Sequence, residues 1–557
     1  MGLRRSTAID GCTWALCCLP LWACGDAEAP AGPPPCGSSI QLRTLIAGPG
    51  QEGYDAALAA KARRHDRMFH AVNARATGLN ADVRLVDSST AGRDLFRAFA
   101  ATDDWDFEAS TGRPLEPVVV WQKSAGLYAG VGVAADAYRY GALRDAGADC
   151  QEVERARAQL LRAMNGLELA SAIPATPGVT ARSLINLDFP HEGHGEPTPL
   201  FDADGNPLPA EKNNGEWRND LSGAHPNYLW EDSLSRDMLV GWAMAYGAVA
   251  EVAAGDPTLQ GNLLDRIRGH AGAIGRALSL VRESGFDLEI PDADGRLTFH
   301  AYLNENTVDR LYLPGANNGF NAVMALGIIS ALALASEDPA LATYRDQQLV
   351  EARNLPKMVD DDLLIVSLGV GANFSNYNMA FTGMYLANRY LTHDRADGFL
   401  VHALDHELYQ KDEVDGREPN EMGQSFFDLI YAAGRSGARF DRPGREVPSE
   451  ALERGLTTLR EYSDAPYFND PVTNCDAAEI AAMRCTLNDG TTVDLLGDEG
   501  RGDKLVAVQP IPMRVRPPSN YHWRSNPYIP NDGGGGTLLP AVDFRVVYWM
   551  GRYLRVE

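Results

Sequence analysis

The stretch Leu239-Val240-Gly241-Trp242-Ala243-Met244-Ala245-Tyr246-Gly247-Ala248-Val249-Ala250-Glu251-Val252-Ala253 decides the fold class. Leu239, Trp242, Tyr246, Val249 and Ala253 step by three and four, which lines them along one face of an α-helix. Similar spacing recurs at 118–139, 150–171, 260–284, 317–334, 339–354, 376–390, 396–409, 421–433 and 449–462. Shorter segments at 55–75, 92–101 and 541–553 complete the set. Strand-like runs are few and brief, as at Leu363-Leu364-Ile365-Val366. An all-α fold is the expectation.

Many of these helices are rich in small residues, as in Gly126-Leu127-Tyr128-Ala129-Gly130-Val131-Gly132-Val133-Ala134-Ala135. Each helical glycine costs roughly 1 kcal/mol relative to alanine, so close packing has to offset it. Serial hairpins of small, two-sided apolar helices suit a closed ring of helical pairs, with inner helices touching neighbours on both sides. A solenoid would show a fixed repeat length, and none is present. The connections at 173–232, 286–316 and 464–540 hold most of the Pro, Gly, Asn, Asp and His that the helices lack. Loops this long carry function or disorder. Trp217, Tyr228, Trp230, Trp523 and Tyr528 within them argue for order, and for a cleft at one end of the ring.

The first 23 residues read as a targeting segment, with Arg4 and Arg5 before an apolar run from Trp14 to Ala23. That run is too short to span a bilayer. It ends in Leu21-Trp22-Ala23-Cys24-Gly25, which resembles the lipobox of bacterial lipoproteins and implies a lipid on Cys24. An ordinary secretory signal is the alternative. The proline-rich residues 24–36 then form a tether, and 37–557 form one helical domain. No later run reads as membrane-spanning, so membrane contact is expected only through the lipid. The expected place is the cell envelope, on its periplasmic face or at the cell surface.

Of eight cysteines, Cys12, Cys17 and Cys18 lie in the targeting segment and Cys24 is assigned to lipid. Cys36, Cys150, Cys475 and Cys485 remain, an even set that suggests two disulfides in an oxidising compartment. Cys475 and Cys485 are close in sequence and are expected to pair, which leaves Cys36 with Cys150. Three connectivities are formally open. The net charge of −25 argues against nucleic acid as a partner and disfavours polyanionic substrates. No Walker loop, dinucleotide fingerprint or GxSxG elbow is present, so no nucleotide cofactor is expected.

Trp230-Glu231-Asp232-Ser233-Leu234-Ser235-Arg236-Asp237 opens the helix quoted first. Asp232 or Ser233 can serve there as a simple N-cap. Asp232 and Asp237 beside Arg236 are also the raw material of acid/base chemistry, with Trp230 as a stacking platform. Glu421 at a later helix start is a candidate opposing carboxylate, and its separation from Asp232 would set a retaining or inverting pattern. Asn318, Asn321, Asn376, Tyr377, Asn378, His522 and Arg524 are candidate substrate-binding residues. His191-Glu192-Gly193-His194 has the wrong spacing for a zinc helix. Asp202-Ala203-Asp204-Gly205 and Asp292-Ala293-Asp294-Gly295 look like parts of calcium loops, but neither reaches a closing glutamate and both read as tight turns. No metal is therefore expected.

Several segments together carry a family resemblance. Ser233 to Asp237 is similar to the helix start of a group of secreted bacterial (α/α)6-toroid proteins, distant cousins of glycoside hydrolases and polysaccharide lyases. Asp292-Ala293-Asp294-Gly295-Arg296-Leu297-Thr298, Asn317-Asn318-Gly319-Phe320-Asn321, Asn376-Tyr377-Asn378-Met379-Ala380-Phe381 and Tyr548-Trp549-Met550-Gly551-Arg552-Tyr553 follow in the same order as in that group. The resemblance covers roughly 228–557 and implies fold more than chemistry. The expectation is thus an (α/α)6-type toroid of helical hairpins whose long loops form a cleft, in a monomer acting on a glycan or small polar substrate. Glycan hydrolysis comes first, a polysaccharide lyase second, and a non-catalytic glycan binder or structural lipoprotein is the reading from another class.

Overall fold

The computed structural model describes residues 43–206, 215–308, 311–361, 363, 374–411, 418–497, 504–518 and 526–557. The protein is mostly helical, about 49% of the chain, with small sheets added. The N-terminal helices are α1 (Ala56–Met68), α2 (Thr90–Ala100), α3 (Phe107–Thr111), α4 (Gly126–Asp145) and α5 (Cys150–Ala172). The central ones are α6 (Arg236–Ala253), α7 (Asn262–Ser279), α8 (Gly319–Ser336), α9 (Pro339–Thr343), α10 (Leu355–Asp361) and α11 (Ser375–Tyr390). Then come α12 (Asp394–His402), α13 (Ser425–Ser436), α14 (Ser449–Glu461), α15 (Ala477–Ala481) and α16 (Val542–Tyr553).

The core is built where glycines let helix backbones meet. A Cβ on Gly130 of α4 would lie 2.1 Å from the Gly241 carbonyl oxygen of α6. One on Gly327 of α8 would lie 2.4 Å from the Gly383 carbonyl oxygen of α11. These two pairs, α4 with α6 and α8 with α11, make the most extensive helix contacts described. Contacts also run from α6 to α8, from α11 to α13, from α13 to α16 and from α16 back to α4. Behind them α5 packs on α4, α7 and α10 on α8, α12 on α11, α14 on α13 and α1 on α16. Near its start and end the described chain joins itself, with the Ile46 amide donating to the Gly551 carbonyl at 2.8 Å.

Helix α8 is apolar and long enough to cross a membrane, contrary to the sequence expectation that no later run is. Yet 89% of it is buried within the fold against neighbouring helices, as a core helix must be. Other differences have local causes. The segment expected as a helix from 118 starts as the strand Val119–Trp121, because Val118-Val119-Val120-Trp121 is β-branched and aromatic. The helix expected from 421 starts only at Ser425, since Gly423 takes φ +58° and breaks the run. Among the described residues, three helices end in π-helical turns, at Phe69–Asn73, Tyr344–Ala352 and Ala403–Tyr409.

The connections read as irregular contain short strands. Ser124–Ala125, Ser183–Asn186, Tyr228–Glu231 and Trp217–Asn219 form an antiparallel sheet in that spatial order. Glu289–Pro291 and Leu297–Tyr302 form a hairpin. Runs of two to six residues are too short for alternation to reveal them. Cys475 and Cys485 are joined as expected, with Cα atoms 4.8 Å apart. Cys150 is also disulfide-bonded, while Cys36, its expected partner, lies outside the described residues. So do Leu364, Ile365 and Val366 of the strand-like run.

The glycine contacts give a direct test. Gly130→Ala is expected to lower stability by at least about 1–3 kcal/mol, because the obstacle is backbone and cannot rotate away. Gly398→Ala, whose Cβ meets nothing within 4 Å on α12, is expected to raise it by up to about 1 kcal/mol. Urea titration of both variants measures the contrast.

Candidate functional site

The strand Tyr228–Glu231 delivers Asp232 to the entrance of α6, and Ser233 turns the chain at φ +65°. Neither of these residues caps the helix. Ser235 occupies the N-cap position, and its hydroxyl accepts from Arg182 Nη1 at 2.6 Å and donates to Asp237. Asp232 is instead buried in a cluster of charges. Its Oδ1 accepts from the Ser233 amide at 2.8 Å, its Oδ2 from Arg218 Nε at 3.3 Å, and the Ala293 amide approaches both oxygens.

Two short segments complete the cluster. Arg218 on the neighbouring strand donates to Glu216 at 2.6 Å and to the Thr198 carbonyl at 2.8 Å. The hairpin turn folds Asp292 back so that its Oδ1 accepts from the Arg296 amide at 2.7 Å, a tight turn as the sequence suggests. Arg296 Nε then lies 2.8 Å from Asp292 Oδ2 and 2.7 Å from Asp294 Oδ1, and its Nη2 reaches Glu216. Arg218 Nη2 also stands 3.7 Å from Asp294 Oδ2.

Glu216, Asp232, Asp292 and Asp294 thus face only the guanidiniums Arg218 and Arg296 within this cluster. An excess of negative charge away from water is costly, and a bound proton relieves it. Asp292 is where the proton goes. Burial, a hydrogen bond with Asp294 and the like charge of Asp232 push its carboxyl up to about 8. Burial also raises Asp232, against the Ser233 amide and Arg218, which favour its ionised form. Carboxylate oxygens of Glu216, Asp232 and Asp292 come within 4.8 Å of one another, an oxygen set that suits a hard cation. The two guanidiniums already pair with those oxygens, so the chemistry of the set favours a held proton.

Other expected residues form a second group beside it. Arg236 Nη1 donates to Asn321 Oδ1 at 3.1 Å, with its guanidinium over the Phe320 ring. Asn321 is fully buried and donates to the Asn304 carbonyl and Thr307 hydroxyl. Asn318 caps α8 by accepting from the Asn321 amide at 3.1 Å. Asn378 is buried, donates to the Phe374 carbonyl at 3.2 Å, and leaves Oδ1 without a hydrogen-bond partner. The Tyr377 ring is buried against Phe374 and Phe427, and Asn376 is half-buried.

Two expectations are corrected by position. Trp230 has no exposed surface and donates from Nε1 to the Asn219 carbonyl, so it is core and no stacking platform. Glu421 is exposed on the turn Pro419–Glu421 and shares none of the contacts that gather around Asp232. His522 and Arg524 lie outside the described residues. Sequence reading missed Glu216, Arg218 and Arg296 and took Asp292 for a turn alone. The available signals were Glu216-Trp217-Arg218, whose alternation puts both charges on one strand face, and the acid–base spacing of Asp292 with Arg296.

No family model matches the chain, and no curated protein matches it.

The held proton predicts a pH dependence. An unfolded aspartate titrates near about 3.9. Folded Asp292 titrates near 8, and Asp428 and Asp543, both buried, near 7. Between these limits the folded state binds more protons, so stability falls as pH rises. Thermal melts should show Tm declining from pH 5 to pH 8, with a shallower decline in Asp292→Asn. An equal slope in both proteins would remove Asp292 from this role.

Proposed function

We propose that this chain is a carbohydrate-active protein that hydrolyses glycosidic bonds, with Asp292 as general acid and Asp232 as its ionised partner. The observation that carries the reading is the close pairing of two buried carboxyls, Asp292, which burial and the neighbouring carboxyls push up to about 8, and Asp232, bound by Arg218 and backbone amides. Hydrolysis of a glycoside needs one carboxyl that keeps its proton and one that gives it up. The oxygens of the two lie within 4.8 Å, well below the roughly 6.5–9.5 Å of inverting enzymes, so the proposed outcome is retention. Glu216 and Arg296, the more exposed members of the cluster, are proposed to meet the sugar first.

The fold reading supports this. The cycle of contacts α4–α6–α8–α11–α13–α16–α4, with further helices packed behind all its members but α6, is close to what an (α/α)6 toroid requires. In that arrangement Asp232, Arg236 and Asn318 stand at or next to helix starts on one end of the ring. Arg236, held by Asn321, then positions hydroxyl groups, and Asp237 orients Ser235. A net charge of −25 favours neutral glycans over polyuronates, which ranks hydrolysis above lyase chemistry. The proposed setting is the cell envelope, with Cys24 lipidated and the domain held outside the membrane as a monomer.

Two experiments test this. Reducing-sugar release from a panel of neutral glycans should fall by about 10²-fold or more in Asp292→Asn and in Asp232→Asn. Full activity in both variants, an absorbance rise from a new C=C bond, or saturable binding without product would each replace the assignment. For the anchor, detergent phase partitioning should place the expressed chain in the detergent phase and Cys24→Ser in the aqueous phase.

A further inference from the structure

A cavity lies away from the carboxyl cluster. It has a volume of about 400 Å³, within the range of roughly 300–1,000 Å³ typical of small-molecule sites. Helix α1 supplies one wall through Ala56, Ala59 and Ala60. The turn between α4 and α5 supplies another through Leu143, Ala146 and Ala148. Tyr54 and Pro49 come from the loop before α1, and Tyr548, Trp549 and Arg552 from the last turns of α16.

The cavity is lined by Arg63, Arg552, Asp66 and Glu152, and both of its carboxylates are committed to partners other than Arg552. Arg63 pairs with Glu152 at 2.6 Å. Asp66 is taken by Arg545 at 2.8 Å and by Trp549 Nε1 at 2.9 Å. Arg552 remains. It is 6% exposed, and no Asp or Glu among the described residues pairs with it. Its one described hydrogen bond runs from Nη1 to the Tyr548 hydroxyl at 3.1 Å, while Nε has no partner among the described residues. The C-terminal dipole of α16 offsets only about half of one charge. A buried guanidinium without a counterion is costly, and a carboxylate accepting two of its N–H groups removes the cost. In a chain of net charge −25, a buried guanidinium left without a carboxylate is a local and specific feature.

We propose that this cavity is a binding site for a small monocarboxylate with an apolar body, its acid group on Arg552 and its body against the alanine wall and Tyr54. The wall chemistry sets the class. Alanines, Leu143 and Pro49 make much of the wall apolar, and Arg63, Glu152 and Asp66 beside them are committed to ion pairs, so an aryl or alkyl acid fits better than a sugar. The site stands apart from the glycan reading and does not depend on it.

The test uses the full chain with 3-phenylpropionate and its neutral amide, 3-phenylpropanamide, in isothermal titration and saturation-transfer NMR. The acid is expected to bind saturably and the amide at least about tenfold more weakly, a gap of about 1.4 kcal/mol. Arg552→Gln should lose tenfold or more of the acid's affinity. Ala59→Phe, which narrows the cavity and leaves Arg552 in place, should lose it as well. Circular dichroism checks that each variant is folded. Equal binding of acid and amide, no saturable binding of the acid, or a folded Arg552→Gln that binds within twofold of the unsubstituted chain would each overturn the proposal.

Discussion

Backbone-to-backbone contact between central helices is the constraint on which the rest of the structure rests. At Gly130 and Gly241, and again at Gly327 and Gly383, a single added methyl group would meet a main-chain atom of the other helix. Contact this close brings many apolar side chains of both helices into van der Waals range, which offsets the poor helix propensity of glycine. It also explains why α8 can be apolar on all sides, since every face of it meets protein. The remaining helices pack behind this layer, and the sheet of Ser183–Asn186 and its neighbours sits where the chain enters α6.

Two buried charge clusters of opposite design follow from this framework. Near the end of the chain, Arg545 donates to Asp66 at 2.8 Å and to Asp136 at 2.6 Å, with Arg139 3.3 Å from Asp66. Two carboxylates meet two guanidiniums, and His70 beside them is pushed down to about 4 by burial, so it stays neutral. This balanced set ties α1, α4 and α16 together. The cluster at Asp232 has four carboxylates for its two guanidiniums and resolves the excess by holding a proton on Asp292. Balance suits a structural tie. Imbalance supplies a proton that can be given away, which is why the second cluster, and not the first, carries the functional reading.

The difference between expectation and structure has the same physical origin at each position. Asn318 was open to reading as a binder and is a helix cap, because an asparagine at a helix start finds the nearest free amide first. Trp230 belongs to a strand buried on both faces, with Leu229 and Glu231 on either side of it also buried, and Glu421 sits before the glycine that delays α13. The α4 start moved because four β-branched and aromatic residues precede it.

What the sequence determined by itself was the set of helices, their small-residue faces and the Cys475–Cys485 pair. Those features depend on residues three, four or ten positions apart, and spacing reports them directly. Which charges meet was decided only in three dimensions. Arg296 reaches Glu216 across 80 residues of chain, and Arg545 reaches Asp66 across 479. No periodicity links such partners. Their encounter depends on how helices and hairpins are stacked, and their protonation depends on the burial that the stacking creates.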